Sequence, residues 1–370
     1  MRFPSGRAAH RLLAGIAAAG LLIALTAGAR QVQAPASFAS RCAQLSEPGG
    51  YFDTDNLISN ERSYLHVVPA LRQAGIAGGA YIGVGPDQNF SYIAQVRPSM
   101  AFIIDVRRDN LLLHLLFKAL FQLSRSRVEY LSLLFGRTVP EAPDEWGRAG
   151  IDRLLAYIDG AGSSSQATTD LRAKVDALIK GFGIPLSKDD LATIDRYHRT
   201  FIARGLLLKF ETTGRGPLSY YPTYRELLLE TDRQGHRWNF LDSDDDYQFV
   251  RSLEQRDLII PVVGNLNGPS ALVAIGRVMA ERGDQLSVFY ASNVEFYLFR
   301  DGTFPKFVDN LSLLPHSNRS LIIRAVFAGA SPSQLAPGYA SSSIVQPVDD
   351  LLQGYAKGRF RTYRELTMGR

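Results

Sequence analysis

The chain has 370 residues, 46% hydrophobic and 21% charged, with a formal net charge of +5. This is ordinary globular composition, long enough for one large or two smaller domains. Arg2, Arg7 and Arg11 lie before residue 30, where there are no acids; setting them aside leaves 38 basic against 36 acidic residues, so the basic balance gives no case for a nucleic-acid partner, and the single cysteine, Cys42, excludes an internal disulfide and a cysteine-based zinc site.

The N-terminus comes first in the chain. MRFPSGRAAHR is a basic lead, Leu12 to Ala29 is an uncharged apolar run, and Ala27-Gly28-Ala29 offers a small-residue cleavage site. That is the layout of a secretory signal peptide. The run is also long enough to span a bilayer if it stays uncleaved. Residues 1–29 are therefore expected to be a signal peptide or anchor. The protein is expected to be exported, periplasmic or secreted, or membrane-anchored through this segment and touching the membrane nowhere else. Residues 30–47 read as a linker or lead-in.

A first α/β unit is expected over 48–136. PGGYFDTDNLISNERSYLHVVPALRQAG gives a loop and then a helix, with Ser59 or Asn60 as cap and Tyr64, Val67, Val68 and Leu71 on the apolar face. GGAYIGVG is a short apolar strand ending in glycines. PDQNFSYIAQVR opens on Pro86 and Asp87, both favourable in a helix's first turn. MAFIIDV is a continuous apolar run suited to a strand buried on both faces, and the Leu/Phe-rich helical segment after it contains His114, expected as a satisfied core residue. Residues 137–250 read as a helical insertion or cap, built from the amphipathic segments GIDRLLAYIDGAG, TTDLRAKVDALIKGFG and SKDDLATIDRYHRTFIARG. LDSDDDYQFV within it reads as a capped helix start, since a calcium loop would need glycine where Tyr247 stands. Alternation resumes over 251–330, with strands at Asp257–Asn265, at Gln285–Asn293 and in SLIIRAVFA, and Gly283 closing the helix between the first two. Residues 331–370 read as a basic C-terminal tail with a surface helix. Buried-type strands separated by helices predict an α/β fold with a Rossmann-like, doubly wound, mainly parallel sheet and a helical insertion.

The stretch GAYIGVGPDQNFSYIAQVRPSMAFIIDVRRDN suggests a ligand crevice. In an open parallel sheet, ligands sit beyond the carboxyl ends of the strands, where the winding reverses. Gly83 and Gly85 let the chain approach a ligand closely. The helix beginning near Pro86 aims backbone N–H groups at it. Asp105, 22 residues after Gly83, can accept two ribose hydroxyls. The dinucleotide pattern would put its third glycine at Gln88, and Asp87 would repel a phosphate at the helix start. A ligand without phosphate, such as S-adenosylmethionine, tolerates that acid.

The segments EPGGYFDTDNLISNERSYLHV, GAYIGVGPDQNFSYIAQVRPSMAFIIDVRRDN, LIIPVVGNLNGP and FYASNVEFYLF resemble an uncharacterised bacterial family, classed as a domain of unknown function. The fold of that family is similar to class I S-adenosylmethionine-dependent methyltransferases. The resemblance spans most of residues 47–370 and implies a fold without an established reaction. The methyltransferase motif is acid-x-G-x-G-x-G; here Tyr81 stands for the acid and Asp87 for the last glycine, so Gly83, Gly85 and Asp105 are the positions that carry over. Asn60, Glu61 and Tyr64 form a lid or cap over the crevice in this reading; otherwise they belong to a turn and helix cap. Asn265 ends a strand at the position where methyltransferases commonly place the residue beside the transferred methyl, and Asn293 ends the next strand on the same edge; otherwise both are simply favourable strand-end residues. Arg107, Arg108 and Asn110 are either a clamp for an anionic group or a solvated loop.

The expected ligand set is Gly83, Gly85, Asp87, Asp105, Asn60, Glu61 and Tyr64 for S-adenosylmethionine or a related nucleoside, with Asn265 and Asn293 at the reacting group. No metal site is expected, since no paired-histidine motif occurs, and no hydrolase elbow or Walker loop is present. The partner is a small molecule. Export sets this against a cytoplasmic cofactor, so two functions stand side by side: methyl transfer, or an exported binding or interaction protein that keeps the fold without the chemistry.

Overall fold

A computed structural model describes residues 37–327, 335 and 337–368; the expected signal or anchor, residues 1–29, lies outside them. Within this range the chain forms a mixed α/β structure around one six-stranded, mostly parallel sheet. Its strands are β1 (Ala80–Gly83), β2 (Met100–Asp105), β3 (Ile259–Val263), β4 (Leu286–Ser292), β5 (His316–Phe327) and β6 (Ser341–Pro347), in the order β3-β2-β1-β4-β5-β6. The first five run parallel and β6 pairs antiparallel with β5. The chain therefore moves outward from β1 through β2 to β3, then returns to the other side of β1 for β4 and β5. Between β1 and β4 the direction of winding reverses.

Every residue of β1 and β3 is buried, as are Met100 to Ile104 of β2. The continuous apolar runs arise from this two-sided covering. Fifteen helices surround the sheet in the described residues. α1 (Phe38–Leu45) packs on β3, so part of the segment expected as a linker is integral to the fold. The core is seamed by aromatic rings. α3 (Gln88–Val96) meets α4 (Arg108–Leu123) through Phe90, whose ring lies edge-on to Phe117 at 5.7 Å and to Phe121 at 5.3 Å, contacts worth about 0.5–1.5 kcal/mol each beyond their buried area.

α2 (Val68–Gln73) follows a 3₁₀ turn over Arg62–Val67, and Tyr64, Val67, Val68 and Leu71 are buried as the apolar spacing requires. Neither Ser59 nor Asn60 caps it; the residue before the turn is Glu61. Beyond α5 (Arg127–Leu134), the expected insertion contains α6 (Ile151–Gly160), α7 (Ser165–Gly181), α8 (Lys188–Arg204) and α9 (Tyr224–Leu228). α10 (Asp244–Gln255) starts at Ser243, whose hydroxyl accepts from the Asp246 N–H at 3.1 Å. That is a helix cap with three aspartates on the positive end of the dipole, not a cation loop. α11 (Ala271–Arg282) stops at Gly283 with φ of 73°, a left-handed C-cap. α12 (Val294–Arg300) and α13 (Phe304–Ser312) connect β4 to β5.

The expected C-terminal tail is corrected at residues 341–347, which form β6. Its serines are buried under the 3₁₀ turn, where Ser63 Oγ lies 3.2 Å from Ser341 Oγ. α14 (Val348–Ala356) and α15 (Tyr363–Met368) complete the chain. Where β5 and β6 meet α12, the guanidinium of Arg324 donates to both carboxylate oxygens of Glu295 and to the side-chain amide oxygen of Gln346 at 2.7 Å, with Arg324 and Glu295 essentially without solvent contact. Glu295 is thus a structural charge in the core. No helix among the described residues is long and apolar enough to cross a membrane.

Candidate functional site

The pairing register sets the level of the strand ends. Gly83 stands opposite Ile103 of β2 and Tyr290 of β4, so Gly85, Asp105 and Ser292, each two residues on, come to the same edge. Asp105 is itself opposite Val263, the last residue of β3. A cavity of about 350 Å³ opens at this edge, lined by residues that follow β1, β2, β3 and β4 and by the segment 51–61. It spans the place where the winding reverses, which is where an open α/β sheet leaves room for a ligand.

The glycine turn divides into two parts with different roles. A Cβ at Gly83 would fall 1.9 Å from Asn89 Oδ1 and 2.7 Å from the Tyr81 hydroxyl. The space is filled from within: the Tyr81 hydroxyl donates to Asn89 Oδ1 at 2.8 Å, and the Asn89 amide donates to the carbonyls of Val84 at 2.9 Å and Pro86 at 2.7 Å. His114 Nε2 donates to the Gly85 carbonyl at 2.9 Å, and burial pulls its pKa down to about 4, so the ring is a neutral core donor. The turn's carbonyls thus face inward. Gly85, with φ of 82°, needs glycine for its backbone and reaches the cavity. Gly83 does not.

Asp87 is not on the cavity wall. It is buried behind the turn, where it accepts a hydrogen bond from the Tyr224 hydroxyl, and burial pushes its carboxyl up to about 7. Tyr64 is likewise away from the cavity: its hydroxyl donates to the Leu227 carbonyl at 3.0 Å and accepts from the Asn239 amide at 2.9 Å. Asp87 and Tyr64 are therefore corrected from ligand contacts to core polar groups. Their residue types suit a site, but the neighbours that consume them lie far along the chain and leave no local signature.

Six of the expected residues line the cavity: Asn60, Glu61, Gly85, Asp105, Asn265 and Asn293. Asp105 is held by Arg107, which donates through Nε at 3.0 Å and Nη2 at 2.8 Å, while the Arg107 N–H reaches Oδ1 at 2.9 Å. Arg107 also donates to the carbonyls of Thr54 at 2.7 Å and Asp55 at 3.0 Å. It is consumed in tying the end of β2 to the cavity's front wall, not free to clamp an anion. Arg108 leaves the site and pairs with Asp190. Asn110 is buried, does not line the cavity, and has no side-chain partner among the described residues.

Glu61 is fully buried at the base of the cavity. The Tyr290 hydroxyl donates to Oε2 at 2.6 Å, Gln88 Nε2 lies 3.4 Å from the same oxygen, and the Ser292 hydroxyl donates to Oε1. Burial raises its pKa, against the pull of these donors. Ser292 has φ of 51°, a left-handed conformation that a side-chain-bearing residue rarely holds, and it ends β4 with its hydroxyl on Glu61. Asn265 is positioned through Glu47. That carboxylate accepts from the N–H groups of Asn265 at 2.9 Å, Ser270 at 2.9 Å and Ala271 at 3.0 Å, and from the Ser270 hydroxyl at 3.0 Å. Desolvation raises the Glu47 pKa, but these four bonds outweigh it and hold the group below the ordinary carboxylate range. The anion hole at the start of α11 is thereby filled by the protein itself.

Sequence reasoning missed the aromatic front wall. Tyr51 and Phe52 precede the acidic cluster, and Phe52 packs edge-on to Tyr297 at 5.0 Å across the cavity mouth. It also missed Tyr290 and Gln88 as partners of Glu61; strand alternation signals their burial but not their target. From the expected insertion, residues 137–250, Phe210 alone among the described residues reaches the cavity. That region packs on α4 through α7, α8 and α10 rather than roofing the site. The cations on the wall, Arg107 and Arg300, are each paired, with Asp105 and with Asp301. No cluster of His, Cys, Asp or Glu among the described residues could hold a metal ion.

Two segments of the chain, residues 56–142 and 196–366, match the profile of a domain of unknown function, DUF7790. No curated protein matches the chain.

Proposed function

We propose that this chain, which belongs to the DUF7790 family, binds a phosphate-free nucleoside ligand of the S-adenosylmethionine type in the cavity between Gly85 and Asp105. The observation that carries the reading is position with chemistry: a cavity at the reversal between β1 and β4, with a glycine at the end of one strand and a carboxylate at the end of the next. The strand order, with the winding reversing between β1 and β4, supports reading the sheet as a doubly wound, Rossmann-like one with a methyltransferase-like fold. Asp105 Oδ1 accepts twice from Arg107, through its N–H and Nε, and Oδ2 accepts once, so one lone pair, on Oδ2, is left for a ligand hydroxyl. Phosphate is disfavoured because the wall offers carboxylates and already-paired arginines, and because Glu47 fills the anion site at α11.

When bound, S-adenosylmethionine supplies an activated methyl group. In this reading the chain's residues bind and orient it, and Asn265 and Asn293 hold the acceptor's polar atoms at the ends of β3 and β4. The second reading is an exported small-molecule-binding or interaction protein without methyl transfer. It is favoured by those same two residues, whose amides donate and accept hydrogen bonds but take up no proton, and by the replacement of the motif's acid with Tyr81, buried and hydrogen-bonded to Asn89.

The test is thermal unfolding of the purified protein with S-adenosylmethionine and S-adenosylhomocysteine. At 100 times the dissociation constant a ligand adds about 2.7 kcal/mol, and Asp105→Ala should remove most of the shift. Absence of any shift at millimolar ligand refutes nucleoside binding. A shift without methyl release to any acceptor fraction favours the second reading.

A further inference from the structure

Among the described residues, Glu61 is the one carboxylate lining the cavity with no cation beside it. Asp105 has Arg107 and Asp301 has Arg300. Around Glu61 the arrangement is one of donors: Tyr290 and Ser292 from β4, and Gln88 from the start of α3, which also donates to the Tyr290 hydroxyl. Both hydroxyls and one Gln88 N–H are aimed at the carboxylate, and the other Gln88 bond supports the Tyr290 hydroxyl that donates to it. A buried acid so surrounded is prepared to carry charge, yet lacks the counter-ion that would repay its desolvation. The remaining open side is the cavity.

We infer that Glu61 is the anchor for a primary ammonium group of the ligand. β1 separates β2 from β4, so Asp105 and the Glu61 cluster are about two strand spacings apart, on the order of 10 Å. The bound molecule is then a hydroxylated ring at Asp105 joined to a chain that carries a primary ammonium to Glu61. The Asp105 end of this inference rests on the nucleoside reading above; the ammonium end does not. Ionised Glu61 and an ammonium form a charge-assisted pair in a site shielded from water.

The sign with pH follows. The titratable groups facing Glu61 are Tyr81 on β1, Tyr92 on α3, Tyr290 on β4 and Tyr363 on α15, and burial holds all four hydroxyls above their ordinary range. Glu61 is the one among them that changes charge toward acid. An ammonium ligand must displace the proton of protonated Glu61, so its affinity falls as pH is lowered, while an uncharged ligand's does not.

The experiment titrates the full chain calorimetrically with S-adenosylhomocysteine, with 5′-methylthioadenosine, which lacks the aminocarboxyl end, and with L-methionine and N-acetyl-L-methionine, which lack the nucleoside. The expected result is that S-adenosylhomocysteine binds roughly 10- to 100-fold more tightly than 5′-methylthioadenosine, that N-acetylation abolishes methionine binding, and that Glu61→Gln removes both preferences while leaving 5′-methylthioadenosine unchanged. Where the variant is poorly folded, the wild-type pH profile decides: the preference must shrink as pH is lowered. Equal binding of the two nucleosides overturns the ammonium site and leaves nucleoside binding standing. Methionine binding that needs Glu61, without nucleoside binding, does the reverse. Binding of none of the four overturns both.

Discussion

Asp87→Asn offers a test of how the glycine turn is built. Asp87 is 4% exposed, its carboxyl faces Tyr224, and burial moves its pKa from 3.8 to about 7. Between those two values the folded protein holds a proton that the unfolded chain has released. The slope of unfolding free energy with pH is then negative, about 1.4 kcal/mol per pH unit. Across the window the loss sums to about 4 kcal/mol, fully present above the folded value and absent below the unfolded one. Asparagine keeps an oxygen for the Tyr224 hydroxyl and carries no charge. The variant should match wild type near pH 4 and exceed it by up to about 4 kcal/mol at pH 8. Urea unfolding followed by the fluorescence of Trp146 and Trp238 measures this. Glu254, pushed up to about 7 by burial against the attraction of Lys118, titrates in the same window and leaves a residual slope in the variant. Ligand binding should survive, because Asp87 does not line the cavity. A variant less stable than wild type at pH 8, with the pH slope unchanged, would show that Asp87 is folded as a stabilised anion and would refute the argument.

Gly83→Ala pushes a methyl into the Asn89 and Tyr81 hydrogen bond and should cost about 2–4 kcal/mol in denaturant titration; a neutral result would mean that Asn89 turns aside freely. Gly85→Ala meets only the Asn56 amide at 3.3 Å but holds φ of 82°, so its cost is about 1–2 kcal/mol, and its larger effect should be weaker ligand binding in the thermal-shift assay. Arg324→Met leaves Glu295 buried without a partner and should cost about 3–5 kcal/mol, whereas the double change with Glu295→Leu should recover most of it. A double-mutant cycle that proves additive would show that the two charges do not depend on one another.

The sheet was legible because its strands carry their own signal. GGAYIGVG, MAFIIDV and LIIPVVGN are apolar without interruption, and a strand covered on both faces has no other way to read. β6 carried no such signal: SSSIVQP begins with three serines, and these are buried only because Ser63 and the 3₁₀ turn, from the far end of the sequence, cover them. α1 was missed for a related reason, its Phe38, Cys42 and Leu45 being too few for a periodicity until β3 and α11 supply the surface. At the site, the residues announced by strand ends, Gly85, Asp105, Asn265 and Asn293, line the cavity. The roles of Arg107, Tyr290 and Ser292 depend on which groups the fold brings opposite them, and spacing along one chain does not contain that.

The glycine turn and the ligand specificity separate in this protein. In a turn that contacts its ligand by backbone, the peptide groups must be available. Here the carbonyls of Val84, Gly85 and Pro86 are taken by Asn89 and His114, Gly83 is packed against side chains, and Asp87 is withdrawn to Tyr224. What remains of the turn is its shape: a rigid floor that brings Gly85 level with Asp105 and Ser292. The chemically distinct groups on the walls come instead from 51–61, which supplies Tyr51, Phe52, Asn60 and Glu61, and that segment is pinned by Arg107 to its backbone at Thr54 and Asp55 and by Arg196 to the Asp55 carboxylate. Discrimination among ligands should therefore change with substitutions in 51–61, and stability should change with substitutions in the turn, Gly85 excepted because it reaches the cavity. An alanine scan of both, read by ligand shift and by unfolding free energy, would show two nearly independent sets. Coincidence of the two sets would mean that turn and wall act as one element, and the division of labour argued here would be wrong.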